Sequence, residues 1–463
     1  MATLNTSSTI ASLPADFKSH NVNFHIHIHE LSNGIDQKTL NGADVTPEPT
    51  TASTTPPAAI TIPSDFSIHE VDDKLDPKAR PDIAEARSAP LGVLANFTGE
   101  FAGTGFNLIF RPNSGPPTTT TFPNPVSPAP PAVPSENVLE LNLTTETLTF
   151  STPLGSVPNR GLQQQNDIFL NGVPYVQAIN DVTNKDTGKG DGKPTGIHFE
   201  PGLWMHIPST SNDPSLGESL VRMASIPHGT TINAEGLAPT KTFAGPPIIS
   251  SVDITPFPIG GGKPITFISQ TASNTDTPRI PQDLTKFIAE GTITQDILTD
   301  PNTVLRNAIA GQNITKTIVF TVSTAPASPE LGGGTANIAF LQGTPGTQTA
   351  GGPQVGPNAN AAQMSATFWI ETVEYKIVIP PFKPGQTPLN IAPDAPNPGV
   401  LVPTFEVNPP HEITVPTTIT VHSTQIQYSQ LVFLNFAGLT WPHVSVATLV
   451  PSTLQAVPPS VWN

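Results

Sequence analysis

The sequence predicts an all-β, mainly antiparallel protein: a barrel with long Pro/Gly-rich loops and a small helical insertion. Three observations predict it. Proline (55) and glycine (35) make up about a fifth of the 463 residues, charged residues only 12%, and Phe (22) far outnumbers Tyr (3) and Trp (4). That mix suits short strands with long ordered loops better than helix bundles. Apolar and polar residues alternate with period two, most cleanly in "VLELNLTTETLTF" (138–150). No fixed-period repeat is present, which disfavours a propeller or solenoid. A closed barrel of roughly eight to ten strands has no exposed edges and leaves a cavity for one ligand.

Along the chain, residues 1–89 read as an N-terminal extension. It carries a probable strand, "NVNFHIHIHEL" (21–31), and a Pro/Thr-rich linker, "TPEPTTASTTPPAA" (46–59). A β-barrel domain is expected over 90–382. It opens with "LGVLANFTGEFAGTGFNLIFRP" (91–112), where Gly99, Gly103 and Gly105 suggest a tight bend or bulge. In 138–150, Leu139, Leu141 and Leu143 share one face and Glu140, Asn142 and Thr144 the other, as in a half-buried strand. "DIFLNGVPYVQAINDV" (167–182) reads as two strands around an Asn171-Gly172 turn. Strands follow in "GIHFEPGLWMHIP" (196–208) and "SLVRMASIP", which reaches a hairpin end at His228. A Pro/Gly-rich insertion at about 245–312 carries helix signals over 280–312. Strands resume near 315–324, 334–343 and 363–380. Residues 383–463 supply C-terminal strands, near 413–439, and a barrel-closing segment.

The net charge is −16. An acidic surface repels phosphate backbones, so no nucleic-acid partner is expected. No apolar run reaches ~18 residues and the N-terminus lacks the marks of a secretory signal, so no membrane insertion is expected and the reading is a soluble, cytoplasmic protein. Cysteine is absent, which excludes disulfides, Cys-ligated metal and thiolate catalysis. Asn-x-Ser/Thr at Asn5, Asn96, Asn142 and Asn313 reads as chance. There is no Gly-x-Ser-x-Gly elbow, Walker loop, Gly-x-Gly-x-x-Gly after a strand or His-Glu-x-x-His.

The candidate chemistry lies in two segments. In a strand, residues two apart share a face, so His198, Glu200, Trp204 and His206 point together unless Pro201-Gly202 breaks the phase. Phe199, Leu203, Met205 and Ile207 form the other face and read as apolar core. The even face is expected to line a cavity mouth beside His228, because such groups are costly in a packed core without partners. The plainer alternative makes these histidines surface or hydrogen-bonded structural groups. His228, between Pro227 and Gly229, suits a proton carrier or a turn cap. His25, His27 and His29 share a strand face in a His-x-His pattern that fits a metal, or an edge strand with its histidines outward.

Taken in order, "GEFAGTGFNLIF" (99–110), "HFEPGLWMHIP" (198–208), "SLVRMASIPHGTTINAEG" (219–236) and "WPHVSVATL" (441–449) resemble the nitrobindin-like branch of the fatty-acid-binding-protein and lipocalin superfamily. The resemblance covers about 200 of the 463 residues. It departs at Phe101, where that family has Trp, and at the "PHG" turn. It implies a lipocalin-like barrel with a haem cofactor, His443 as the iron ligand, and His198 and Trp204 against the cofactor. It also implies possible peroxidase-like, oxidoreductase chemistry, for which His206 or His228 with Arg222 are the candidate catalytic groups. Two alternatives stand beside it. One is a metal-free binding protein or isomerase/cyclase for an apolar small molecule, with His198, His206 and His228 handling protons. The other is a non-catalytic structural protein.

Overall fold

In a computed structural model, ten long strands among the described residues close into an antiparallel barrel. Described are residues 89–463, except 112–137, 162–166, 211–214, 216, 237–239, 276–278, 326–332, 338–358, 398, 437 and 463. The histidines of 25–29 and the linker of 46–59 lie outside them.

The barrel strands are β1 (Gly99–Arg111), β2 (Val138–Phe150), β3 (Ile168–Asp181), β4 (Thr195–Ile207), β5 (Ser219–Ser225), β6 (Thr230–Gly236), β7 (Asn313–Ser323), β8 (Asn360–Ile379), β9 (Thr417–Phe436) and β10 (Leu439–Pro451). Each pairs with the next, and β10 returns to β1 from Phe101↔Pro451 to Leu108↔Val444. The β6–β7 seam is the thinnest. It has one pair at Glu235↔Ser323, extended where Lys241–Ala244 runs along Lys316–Val319. The last two barrel strands therefore come from the C-terminal segment.

Three apolar clusters organise the molecule. The first fills one half of the lumen with Phe101, Phe150, Tyr175, Trp204, Phe320, Phe368 and Tyr428. A short 3-10 turn, Gly92–Asn96, caps that end, with Leu94 and Phe97 buried. The second cluster lies outside the barrel. There Phe106, Leu108, Leu139, Leu141, Trp441 and Val444 pack beneath the insertion, whose helices are α1 (Thr285–Glu290), α2 (Gln295–Thr299) and α3 (Thr303–Ala308). The third joins the outer face of β8 and β9 to a small sheet of Leu389–Ile391, Phe405–Val407 and Gln455–Ala456.

The structure departs from the expected local pattern at four places. β3 is one continuous strand rather than a hairpin. A Cβ at Gly172 would lie 2.5 Å from the Trp204 carbonyl oxygen and 2.4 Å from Met205 Sδ, so glycine serves close strand approach instead of a turn. The β1–β2 register runs unbroken from Gly99 to Arg111, so no bulge sits there. The first half of β2 is covered on both faces, with Leu139, Leu141 and Leu143 beneath the insertion and Asn142 and Thr144 buried on the other face, while its second half is half-buried as expected, with Thr147 and Thr149 exposed. The odd face of β4, expected as core, is partly open, with Phe199 49% exposed.

Candidate functional site

The register of the strands orders the lumen along its axis. In β4 the only break in pairing with β3 falls between Ile179 and Asn180, just before His198, so 198–206 stays in phase and its even face points inward. That face spans the barrel. His206 lies at the capped end, paired with Leu220; His198 lies at the other end, near the turn that carries His228.

Each group on this face has a partner. At the capped end, His206 Nε2 lies 2.6 Å from Glu218 Oε1, and a Cβ at Gly92 would lie 3.0 Å from the His206 ring. Trp204 packs edge-on to Phe97, Phe320 and Phe368. Both belong to the apolar half, away from His198.

Mid-barrel, the buried Arg222 donates from Nη2 to Glu200 Oε1 at 2.7 Å, from Nε to the Tyr175 hydroxyl at 2.8 Å and from Nη1 to Gln430 Oε1 at 2.7 Å. Its guanidinium also lies 5.6–5.8 Å from the Tyr175, Trp204 and Phe368 ring centroids, within cation–π range. The Tyr175 hydroxyl donates to Glu200. Gly202 makes room for this, because a Cβ there would fall 2.4 Å from the Tyr175 ring. Gln177 carries the network onward to Glu146 at 2.7 Å, and Tyr428 donates to Glu146 at 2.6 Å.

Charge within the network follows from these contacts. Burial alone would raise the Glu200 carboxyl, but the Arg222 charge and the His198 hydrogen bond bring it down to about 2, so it is ionised. Burial pushes Glu146 up to about 7 against the lowering effect of Tyr428 and Gln177. Arg222 is held firmly protonated: burial disfavours its charge, but Glu200 more than offsets this.

At the open end, three imidazoles come together. His198 Nε2 lies 3.1 Å from Glu200 Oε2. The His228 ring meets the His198 ring edge-on at 5.1 Å between centroids. His228 is exposed at the rim, and its pKa is lowered first by burial of part of the ring and then by the neighbouring His198. His443, on β10, is kept neutral. Burial lowers its pKa to about 3, with further lowering from His198 and His228.

His443 is half-buried on the inward face of β10. Its Nε2 lies 2.9 Å from Asn107 Nδ2, which also donates to Ser445 at 2.7 Å. Asn142 follows along the same wall, opposite Asn107. Met364, Val432 and Ile232 add apolar wall; Val432 faces the same way as its partner His443.

The structure thus brings His198, His228 and His443 to one end of the lumen, backed by Glu200 and Arg222, and leaves His206 at the other, with Trp204 between them at the level of Arg222. Sequence reasoning missed Tyr175, Gln177, Glu146, Tyr428 and Asn107. In a barrel the polar face of an alternating strand is the inward one wherever an outer layer covers the leucines, and that layer is built from residues far along the chain. Among the described residues no group of three or more His, Asp or Glu side chains is arranged to hold a metal ion, and no helix is long and apolar enough to cross a membrane. No protein-family model, curated protein or solved structure matches the chain.

Proposed function

We propose that the barrel binds a ligand at its histidine-lined end, and that this ligand is haem, held through His443. The observation that carries the reading is His443 itself: a half-buried, neutral imidazole on the inward face of β10, with His198 and His228 close enough to lower its pKa further. Neutral imidazole is the form that ligates iron. Coordination at Nε2 would replace one amide hydrogen bond from Asn107, and Met364, Val432 and Ile232 offer apolar contact. A bound haem supplies an iron centre whose reactivity depends on the polarity of the groups opposite it.

This chain's own residues then set that polarity. His198 and His228 hold or accept a proton at this end. Arg222 acts through Glu200 rather than on the ligand, because its donors are taken up by Glu200, Tyr175, Gln177 and Gln430. Peroxidase-like activity would draw on the His198–His228 pair.

Titrating the purified chain with hemin tests this. We expect a stoichiometric Soret band, lost in His443→Ala and retained in His206→Ala, since His206 lies at the capped end. A wild-type chain that takes up no hemin, or a His443→Ala variant with an unchanged band, would sink the reading.

The contact of His198 with Glu200 and His228 favours one second reading: a metal-free barrel that moves protons on an apolar small molecule. Absence of a Soret band, together with a His198-dependent response to such a ligand, would select it.

A further inference from the structure

The mid-barrel network sets the guanidinium of Arg222 against two carboxyls, Glu200 and Glu146, so its charges do not balance. We propose that Glu146 is a proton switch: it takes up and releases a proton, and the Gln177 amide relays the exchange to Arg222. Only the consequence for ligand binding rests on the reading that the histidine-lined end is the ligand site, because Glu200 joins Arg222 to that end.

The geometry supplies the reason. Glu146, Gln177 and Tyr428 are all buried. Both Glu146 oxygens stand opposite donors: Gln177 Nε2 donates to Oε1 at 2.7 Å, and the Tyr428 hydroxyl donates to Oε2 at 2.6 Å. That arrangement suits an ionised carboxylate, which only accepts. It leaves a buried negative charge without a cation of its own, because Arg222 pairs directly with Glu200. A proton removes the charge at the cost of a hydrogen bond. On Oε2 it turns toward the Tyr428 oxygen, which must then release its own hydrogen, and Gln177 Nε2 already donates to that oxygen at 3.2 Å. On Oε1 it meets the Gln177 amide N–H. The amide must then turn, and its oxygen leaves Arg222 Nη2, from which it accepts at 3.2 Å. The ionised state carries an unmatched charge and the protonated state a broken hydrogen bond. Burial pushes the Glu146 carboxyl up to about 7 against its two donors, so both states are populated near neutral pH.

The charged and titratable groups around Glu146 pull in known directions. Arg222 on β5 favours the anion and Glu200 on β4 opposes it. Tyr428 on β9 stays protonated, its pKa raised by burial and then by Glu146. Tyr175 on β3 is turned to Glu200. β1 sets Gly103 opposite Glu146, and apolar side chains of β6, β7, β8 and β10, among them Ala234, Phe320, Ala366 and Ala447, fill that half of the lumen.

NMR of the full chain without haem, labelled at the glutamate carboxyl carbons and the arginine side-chain nitrogens, tests the switch. The Glu146 signal is expected to titrate near neutral pH, well above the ordinary carboxylate range, and the Arg222 signals to move with the same midpoint. Tyr428→Phe removes a donor to the anion and is expected to raise that midpoint by about one unit. Gln177→Met keeps a side chain of similar length without its amide; there the Arg222 movement is expected to shrink several-fold. The Glu146 signal is assigned by its absence from Glu146→Gln and by its displacement in Tyr428→Phe, so one folded variant suffices. A Glu146 that stays ionised down into the ordinary carboxylate range overturns the proposal. So do Arg222 signals that ignore its titration in the wild type, or that follow it undiminished in Gln177→Met. Every reading is taken without haem, so the switch and the haem reading fail separately.

Discussion

Glu371 lies on the outer face of β8, fully buried beside the C-terminal cluster, where Gln425 donates to its Oε2 at 2.5 Å and its Oε1 has no partner among the described residues. Burial pushes its pKa up to about 8 from an ordinary 4.5, against the lowering effect of Gln425. The folded chain therefore holds this proton where the unfolded chain has already released it. Stability contributed by Glu371 is intact below pH 4.5 and is lost as pH rises toward 8. Glu371→Gln keeps the shape and cannot ionise. We expect the variant to match wild type near pH 4.5 and to be more stable by on the order of a few kcal/mol at pH 8.5, read from urea unfolding at the two values. Equal stability at both would remove burial as the cause of the shift. In "FWIETVEY" Glu371 shares its outward face with Trp369, Val373 and Tyr375, so no clean alternation marks it. Nor does the stretch show that an outer layer covers that face, because the covering residues lie far along the chain. The same blindness applies to Glu146 and Tyr428, which touch across 282 positions. His198, Glu200 and Arg222 were more legible, since two neighbouring strands bring them together.

Elements were read worst where a non-local contact overrides a local turn signal. β3 is the clearest case: Asn171-Gly172 carries the residues of a tight hairpin turn, yet lies within a strand. The deciding contact is non-local, the approach of the Trp204 backbone. Gly172→Ala is thus expected to push β3 from β4 and destabilise by roughly 1–3 kcal/mol, the usual cost of overpacking. A stability within ~0.5 kcal/mol of wild type in chemical denaturation would count against the close approach. The capping turn is a second such element. Phe97 stacks on Phe150 at 4.6 Å and meets Trp204 at 5.6 Å, so with Val93 and Leu94 it anchors Gly92–Asn96 to the lumen. Phe97→Ala is expected to cost about 3–5 kcal/mol, as for aromatic truncation in a core, with loss of near-UV signal from Trp204. A small loss would mean that Val93 and Leu94 hold the turn without the ring.

At the scale of the molecule, the barrel depends on the pairing of its first and last strands. β1 meets β10 over eight register positions, and β9 meets β8 over nineteen, so the C-terminal segment supplies one long wall. This wall was legible as strands and as a barrel-closing segment, but its pairing order was not, because alternation says which face is buried and not which strand is the neighbour. Residues 82–463 form one compact unit containing all ten strands, the capping turn and the insertion. Two truncations should therefore behave oppositely. Removing 1–81 leaves all ten strands, the capping turn and the insertion in the chain, so we expect a β-type circular dichroism spectrum and a cooperative unfolding transition. Removing 417–463 deletes β9, β10 and His443, exposes β1 and β8 as unpaired edges and uncovers the Phe106 and Leu108 side chains beneath the insertion. That truncation is expected to aggregate or lose cooperative unfolding. If it instead folds as a stable monomer with wild-type strand content, the ring does not depend on β9 and β10, and the placement of His443 in a closed lumen falls with it.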